Sequence, residues 1–558
     1  MTSAGRLLLF LITLTLGSDV MGQTEPRYLV LLKDKANSPF SLQKPTDFLS
    51  QRSVQRRVNQ NIALTEHDLP VNPSYVTRIK QTGAKVLFTS RWFNAIVVEA
   101  SDNQLAAIVS LPFYKGLERN LPLANRNSTP TPGLSRTANT EGKLENKSAI
   151  DHGRMTNQLA LLGIPAFHAT GFQGQNKLVA VVDAGFPRAN ELTFFETLFK
   201  ENRVKDTYDF VARNKEVFDD HFHGLHVLST LAAYEPGLLI GAAYKADFAL
   251  YRAENATSES PYEEVTWLLA AERADSLGAD IISSSLGYNT FSGEFDQPSY
   301  NYTYQDMNGF TTIISRAARF ASRKGILVVN SAGNSGNDAW KFITAPADVD
   351  SVLVVGSVAL SLQRSSFSSI GPTANGVQKP DVAAVGSGTV IGSTTGTGNV
   401  TTGNGTSYAA PQIAGFAAIL WQKYPFLTAM QLADVIRHSG NQANTPDNLL
   451  GYGVPYLPTA EEIIATQYPV TGNEDAFWNQ IRLFPNPTKD DVFIKLPDRN
   501  LAAYTQVRLI SSAGITLWQN SNKTDVIVTI PVAKLSGGIY FVQVTTGSHS
   551  KTMKFVKL

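Results

Sequence analysis

Lys177 to Asp183 read KLVAVVD, an unbroken apolar run of strand length that ends on an acid. Similar runs follow at ADFALYRA (246–253), ADIISSSLG (279–287), GILVVNSAGN (325–334) and SVLVVGSV (351–358). Helix-like stretches separate them: one after His223, one from Pro261 to Leu277, one from Thr311 to Lys324. Continuous apolar strands alternating with helices predict an α/β domain, a parallel sheet with helices on both faces. In such sheets functional groups gather at the carboxyl ends of the strands. Asp183 ends the first run, Ser285 follows ADII and Asn334 follows ILVV.

Outward from this block, which spans 155–467, the chain of 558 residues changes character on both sides. Arg6 precedes the apolar run Leu7–Leu16, and Val20 and Gly22 stand where a signal peptidase reads small residues, so 1–22 is expected to be a secretory signal peptide. The run is too short for a membrane span, which needs roughly 20 apolar residues. Residues 23–124 mix strand-like YLVLLKD, KVLFTS and AIVVEAS with a charged helix-like stretch, FLSQRSVQRRVNQN, and a helix from Asp102 to Leu111, an α+β unit. Residues 125–154, with STPTPG, have the composition of an exposed linker, and a second linker is expected at 468–479 around Gly472. From 480 to 558, VFIKL, QVRLIS, VIVTIP, IYFVQV and KTMKFVKL predict a small all-β sandwich.

Composition removes several functions. There is no cysteine, which excludes disulfides, a thiolate nucleophile and cysteine-held metals. A net charge of +1 leaves no electrostatic footprint for nucleic acid.

Three patterns and a fourth carry chemistry. In AVVDAGF, Asp183 at a strand end is placed to orient a histidine, although strand-terminal Asp–Gly turns are common. In HFHGLHVLSTLAA, His223 and His226 share a helix face, with His221, Asp219 and Asp220 nearby. No HExxH pattern is present and no second cluster supplies ligands, so His223 reads better as a general base than as a zinc ligand. Such a base is lost as pH falls through its pKa, about 6.5 when unperturbed. His226 reads as a packing group and His221 as a loop residue. In GNGTSYAAPQIAGFAAILW, Ser407 opens a helix, where unsatisfied N–H groups favour developing negative charge. A helix-capping serine fits the same position. In SAGNSG, the Asn334 side-chain amide can donate to an oxyanion.

The order Asp, His, Ser, with VVDAG, HGLHV, SSSLG, SAGNSG and GTSYAAP, resembles the subtilisin-like (subtilase) serine peptidases over about 300 residues. The resemblance implies a secreted serine endopeptidase with Asp183 as orienting carboxylate, His223 as base, Ser407 as nucleophile and Asn334 in the oxyanion hole. It implies that Ser285, Leu286 and Gly287 line the substrate backbone, with the S1 floor near Thr344. Two departures are Ala184, where the family has Ser or Thr, and Leu225, where it has Thr; either removes a hydrogen-bond donor. No cofactor is required for the chemistry. Structural calcium is a frequent family partner, and the loop 291–309, FSGEFDQPSYNYTYQDMNG, reads as a calcium or substrate-access loop or as an ordinary solvated one. Residues 23–124 are placed like an inhibitory propeptide. LFPNPT at 483–488 and GGIYFVQV resemble a type IX secretion sorting domain, implying contact with secretion machinery and an extracellular or outer-surface location; a binding sandwich is the other reading. Peptides or proteins are the implied substrates. The alternative function is an inactive subtilase scaffold that binds at the surface.

Overall fold

The computed structural model describes residues 25–124, 150–468, 481–496, 505–520, 527–546 and 549–558. The expected signal peptide, residues 125–149 of the first linker and nearly all of the second lie outside the described residues. The chain forms two units, Met1–Leu457 and Pro458–Leu558.

The first unit begins with β1 (Arg27–Leu32), α1 (Gln51–Asn59), α2 (Pro73–Gln81), β2 (Lys85–Ser90), β3 (Ala95–Glu99), α3 (Asp102–Val109) and β4 (Tyr114–Leu117). The strands form an antiparallel sheet in the order β2-β3-β1-β4. The charged stretch 48–61 is helical only from Gln51, because the Ser50 side chain accepts from Ser53 N–H and fixes the start there. Helix α2 was not legible in the sequence. Its one fully buried residue is Ile79, and a nine-residue segment carries too little periodicity to declare itself.

The rest of the first unit runs α4 (Thr156–Ala160), α5 (Ile164–Ala169), β5 (Leu178–Asp183), α6 (Glu196–Lys200), β6 (Val204–Asp209), α7 (His223–Ala232), β7 (Tyr234–Glu235), β8 (Leu239–Ile240), β9 (Asp247–Arg252), α8 (Tyr262–Leu277), β10 (Ile281–Ser284), α9 (Ile313–Arg323), β11 (Leu327–Ser331), β12 (Leu353–Val358), β13 (Val382–Val385), β14 (Thr389–Gly392), β15 (Val400–Gly403), α10 (Thr406–Lys423) and α11 (Ala429–His438). Seven strands form one parallel sheet, β13-β12-β11-β10-β5-β9-β6. The chain order reverses beside β5, so the carboxyl ends of β5 and β10 flank the crevice where such folds place their sites.

The sheet is buried on both faces. Leu178, Ala180, Val182, Ala249, Tyr251, Ile282, Val328 and Val354 pack with α8 and α9, and the first sheet's Leu29 and Val97, with Trp92 from the β2–β3 turn, join that same core. The alternate residues, such as Val179, Val181, Leu327 and Val329, are equally buried on the opposite side, where α10 crosses β10 to β13 and packs on α7. Helix α10 is buried all round from Thr406 to Trp421, a central helix rather than a surface one with a single apolar face.

The α+β unit docks on the ends of α8 and α9 through donors aimed at orphaned carbonyls. Ser50 N–H and Oγ bond Ser276 O and Leu277 O, Arg52 Nε bonds Gly278 O, and Arg56 bonds Ala279 O and Lys324 O. The Gln60 amide donates to Gly325 O and its oxygen accepts from Ala429 N–H. Buried Asp275 meets Arg56, Arg57 and Arg91, while Asp68 bridges Arg57 and Lys324. Positive charge beside helix carboxyl ends is also favoured by the helix dipole.

The second unit holds most of α12 (Leu457–Gln467) and two antiparallel sheets. The first joins β16 (Arg482–Phe484), β17 (Val492–Lys495) and β20 (Ile527–Ile530); the second joins β18 (Thr505–Ser511), β19 (Thr516–Gln519), β21 (Gly538–Thr546) and β22 (His549–Lys557). Val492, Ile494 and Ile530 of one sheet share a core with Val507, Leu509, Val542, Val544 and Phe555 of the other, the expected sandwich.

Candidate active site

Asp183 ends β5 and is fully buried. Its Oδ1 accepts from its neighbour Ala184 N–H at 2.8 Å and faces His223 Nδ1 at 2.7 Å. Oδ2 has no hydrogen-bond partner among the described residues. Ala184 and Leu225 are both buried and offer no side-chain donor, which is the structural counterpart of the two departures. Two glycines permit the close fit. A side chain at Gly224 would collide with Gly185 O, and Gly185, at φ +138°, would meet Asp219 O.

His223 is the first residue of α7. Burial disfavours its charged form, but the Asp183 carboxylate, by charge and hydrogen bond, and then Glu254 outweigh it and push the imidazole up to about 9. With Nδ1–H donated to Asp183, Nε2 is left as the acceptor. His226 is driven down to about 4 by burial and then by His223 and His221; its Nδ1 lies 3.4 Å from the Tyr408 hydroxyl, a packing contact. His221 stays in the loop before α7 and lines the cavity, so it is more than a spectator of the site.

Ser407 occupies the second position of α10. Gly405 stands at the N-cap position and has no side chain to cap with, so Ser407, inside the helix, is not the capping serine that its position allowed. Pro411, inside the helix, lacks the N–H that would bond the carbonyl four residues back, which is that of Ser407. The Ser285 hydroxyl donates to this freed carbonyl at 3.0 Å. Ser285 was expected to line the substrate path; it does line the cavity, and it also braces the Ser407 backbone.

Asn334 is held by its own oxygen. Oδ1 accepts from Thr406 N–H at 2.9 Å and from Thr406 Oγ1 at 3.0 Å, which leaves the Nδ2 donors free to turn toward Ser407. The N–H of Ser407, in the first turn of α10, has no intrahelical acceptor and supplies a second donor. Thr406 was not singled out in the sequence. Its partner is 72 residues away, and nothing local announces it.

A cavity of about 340 Å³ brings His223, Ser407 and Asn334 together with Ser285, Leu286, Gly287, Thr344 and Glu254. Asp183 stands behind His223, out of the cavity. Among the described residues the Ser407 hydroxyl makes no direct hydrogen bond to His223, a contact that apo sites commonly close only around substrate. Thr344 packs against Gly287, where any side chain would strike its hydroxyl, so this part of the cavity lining needs that glycine. Glu254, just past β9, is the site residue that sequence reading missed.

Two of the three acids of the 291–309 loop are engaged locally through their side chains: Asp296 accepts from Asn301, and Asp306 from Thr303. The histidines do not close into a metal-holding set among the described residues. The one such set is Glu254, Glu259 and Glu263, whose oxygen donors are of the type calcium takes.

The subtilase family model matches residues 174–453, a peptidase S8 propeptide model from Bacteroidota matches 27–133, and a secretion system C-terminal sorting domain matches 482–558. Subtilisin DY of Bacillus licheniformis is 29% identical over 292 residues, 52% of this chain and 92% of its own. A subtilisin of Bacillus pumilus is 30% identical over 274 residues, 48% of this chain and 86% of its own. Among solved structures, the MycP3 protease from the type VII (ESX-3) secretion system aligns with a TM-score of 0.44 and 23% identity, over 56% of this chain and 89% of that one. With the family model spanning half of its length, the chain belongs to the subtilase family of serine endopeptidases.

Proposed function

We propose that Asp183, His223 and Ser407 are the catalytic triad and that Asn334 and the Ser407 N–H form the oxyanion hole. The family makes the protein a serine endopeptidase, and its sorting domain makes it secreted or attached at the outer surface. The observation that carries the assignment is the 2.7 Å Asp183–His223 hydrogen bond, with Ser407 and Asn334 on the cavity that His223 faces.

Ser407 Oγ attacks the peptide carbonyl while His223 Nε2 takes its proton, and Asp183 stabilises the imidazolium through Nδ1–H. The carbonyl oxygen gathers negative charge between Asn334 Nδ2 and Ser407 N–H; one such donor is worth about 3–4 kcal/mol in comparable sites. His223 then protonates the leaving amine, and the acyl group remains on Ser407. Water, deprotonated by His223, releases it. These residues and the attacking water supply every proton and electron pair required, so the proposed steps call on no cofactor. Calcium, where present, would have a structural part.

Residues 23–124 act in this reading as the intramolecular inhibitor of the 155–467 catalytic region, and 480–558 as the address read by the secretion machinery. The extensive capping of α8 and α9 supports the first of these. A fluorophosphonate probe should label the processed enzyme at Ser407 and leave the Ser407→Ala protein unlabelled. Labelling that survives the substitution would move the nucleophile elsewhere; an unreactive wild-type enzyme would favour the binding scaffold instead.

A further inference from the structure

Three aromatic rings of the 291–309 loop surround a positive charge that comes from outside the catalytic region. The Arg119 guanidinium, in the segment after β4, lies 4.6 Å from the centre of the Tyr302 ring, 5.8 Å from that of Tyr300 and 6.0 Å from that of Phe291. Its Nη2 donates to Ser299 O at 3.0 Å and to Tyr300 O at 2.6 Å. Buried Nη1 has no hydrogen-bond acceptor among the described residues, so the electron-rich rings are what meet its charge. The backbone bends to deliver the side chain: Arg119 and Asn120 both stand in the left-handed region, at φ +58° and +55°, which suits an asparagine better than an arginine.

The pocket is built by the catalytic region alone. Asn301 Oδ1 accepts from Phe291 N–H at 2.8 Å, and Tyr302 N–H donates to Asn289 O at 2.7 Å, which closes the loop on itself. The Tyr302 hydroxyl donates to buried Glu264 at 2.7 Å, and Glu264 also accepts from Ile314 N–H in the first turn of α9. The Tyr300 ring packs edge-on against Phe295. None of these contacts involves residues 23–124, so the rings keep their places when that unit is cut away. Phe291, Tyr300 and Tyr302 are 4%, 7% and 8% exposed with Arg119 seated, and its departure uncovers them. None of the three lines the cavity at Ser407.

The direction of the chain fixes where such an arginine belongs. From Arg119 the segment runs to Leu123, whose carbonyl accepts from Tyr262 N–H at the start of α8, and then to Ala124. The cut that frees the catalytic region falls beyond Ala124. Five residues, 120–124, therefore separate the seated arginine from that cut, and the arginine stands on its amino side.

We propose that Phe291, Tyr300 and Tyr302 form an exosite for an arginine side chain of a peptide or protein substrate, on the amino side of the scissile bond and remote from the residues that enter the cavity. Arg119 fills this exosite in the precursor. The inference rests on the reading of 23–124 as a propeptide removed from the enzyme. A planar guanidinium offers a face to the rings and an edge to the two carbonyls, a match that the point charge of lysine meets only in part.

The test measures kcat/KM of the processed enzyme on long peptides otherwise free of basic residues. One arginine is walked outward from the scissile bond, and product masses fix the cut. One remote position should raise kcat/KM roughly fivefold to thirtyfold, chiefly through KM, with lysine there giving less and glutamine no gain. Tyr302→Leu should flatten the dependence, and Tyr302→Phe, which keeps the ring, should preserve it. Tyr300→Leu should reduce it, and it carries the test should Tyr302→Leu fail to fold. A wild-type profile that is flat in arginine position overturns the proposal, as does a dependence that survives both leucine variants. Active enzyme that still carries 23–124 strikes the propeptide reading beneath it, and the mass of the fluorophosphonate-labelled protein tells that failure apart.

Discussion

At the scale of single residues, the site depends on groups that never touch the scissile bond. Ser285 holds the carbonyl that Pro411 leaves free, and Thr406 holds the oxygen of Asn334. Thr406→Val keeps the shape but removes one of the two bonds to Asn334, so kcat should fall about tenfold with little change in KM; an unaltered kcat would show that the backbone N–H suffices. His223 yields a pH prediction with a definite sign. A base raised to about 9 is protonated below that value, so kcat/KM should climb from neutral pH toward pH 9 and fall as pH drops, on the alkaline side of the unperturbed imidazole. A profile already flat from pH 7 upward would show that Asp183 and Glu254 do not hold the proton so firmly. The motifs brought Asp183, His223, Ser407 and Asn334 into view because each is a reacting type in a recognisable local setting. Glu254 and Thr406 stayed hidden because their meaning lies in what sits opposite them, decided by the packing of distant strands.

Among the elements, the charged stretch 48–61 shows most clearly what sequence cannot convey. Its arginines have the look of a solvated helix face, yet Arg56 and Arg57 are 5% and 1% exposed because Asp275 lies 219 and 218 residues away on α8. The parallel sheet, by contrast, was legible: strands buried on both faces need apolar residues throughout, and that leaves an unmistakable run. Removing one partner of a buried ion network leaves the others uncompensated. Asp275→Asn in the Ser407→Ala precursor should therefore cost about 3–5 kcal/mol in denaturant unfolding, against under 1 kcal/mol if solvent compensates the arginines. A second buried pair bears on acid stability. His152 Nε2 lies 2.8 Å from His168 Nδ1, and His168 Nε2 lies 2.9 Å from Ala242 O. Burial lowers both, His168 to about 3. The unfolded chain takes up protons near 6.5 while the native pair does not, so stability is full above 6.5 and drains as pH falls toward 3. The Tm of the precursor should decline over that window, and His168→Gln should lessen the slope; an unchanged slope would assign the acid lability to other groups.

Over the whole molecule, a chain without cysteine relies on burial and on the charged seam between residues 25–124 and the helices α8 and α9. The Ser407→Ala protein should accumulate at full precursor length if the enzyme trims itself; normal trimming would reveal a second protease. The seam also sets how the precursor answers its surroundings. Mobile ions screen charges in water but scarcely reach pairs that are dry, and the side chains of Arg57 and Asp275 are 2% and 0% exposed. Brine should therefore be a poor key: moving from dilute buffer to 1 M salt ought to leave the precursor's Tm nearly where it was. Freeing the enzyme then becomes a matter of cutting and digesting the guard, a ratchet that turns once for each molecule made.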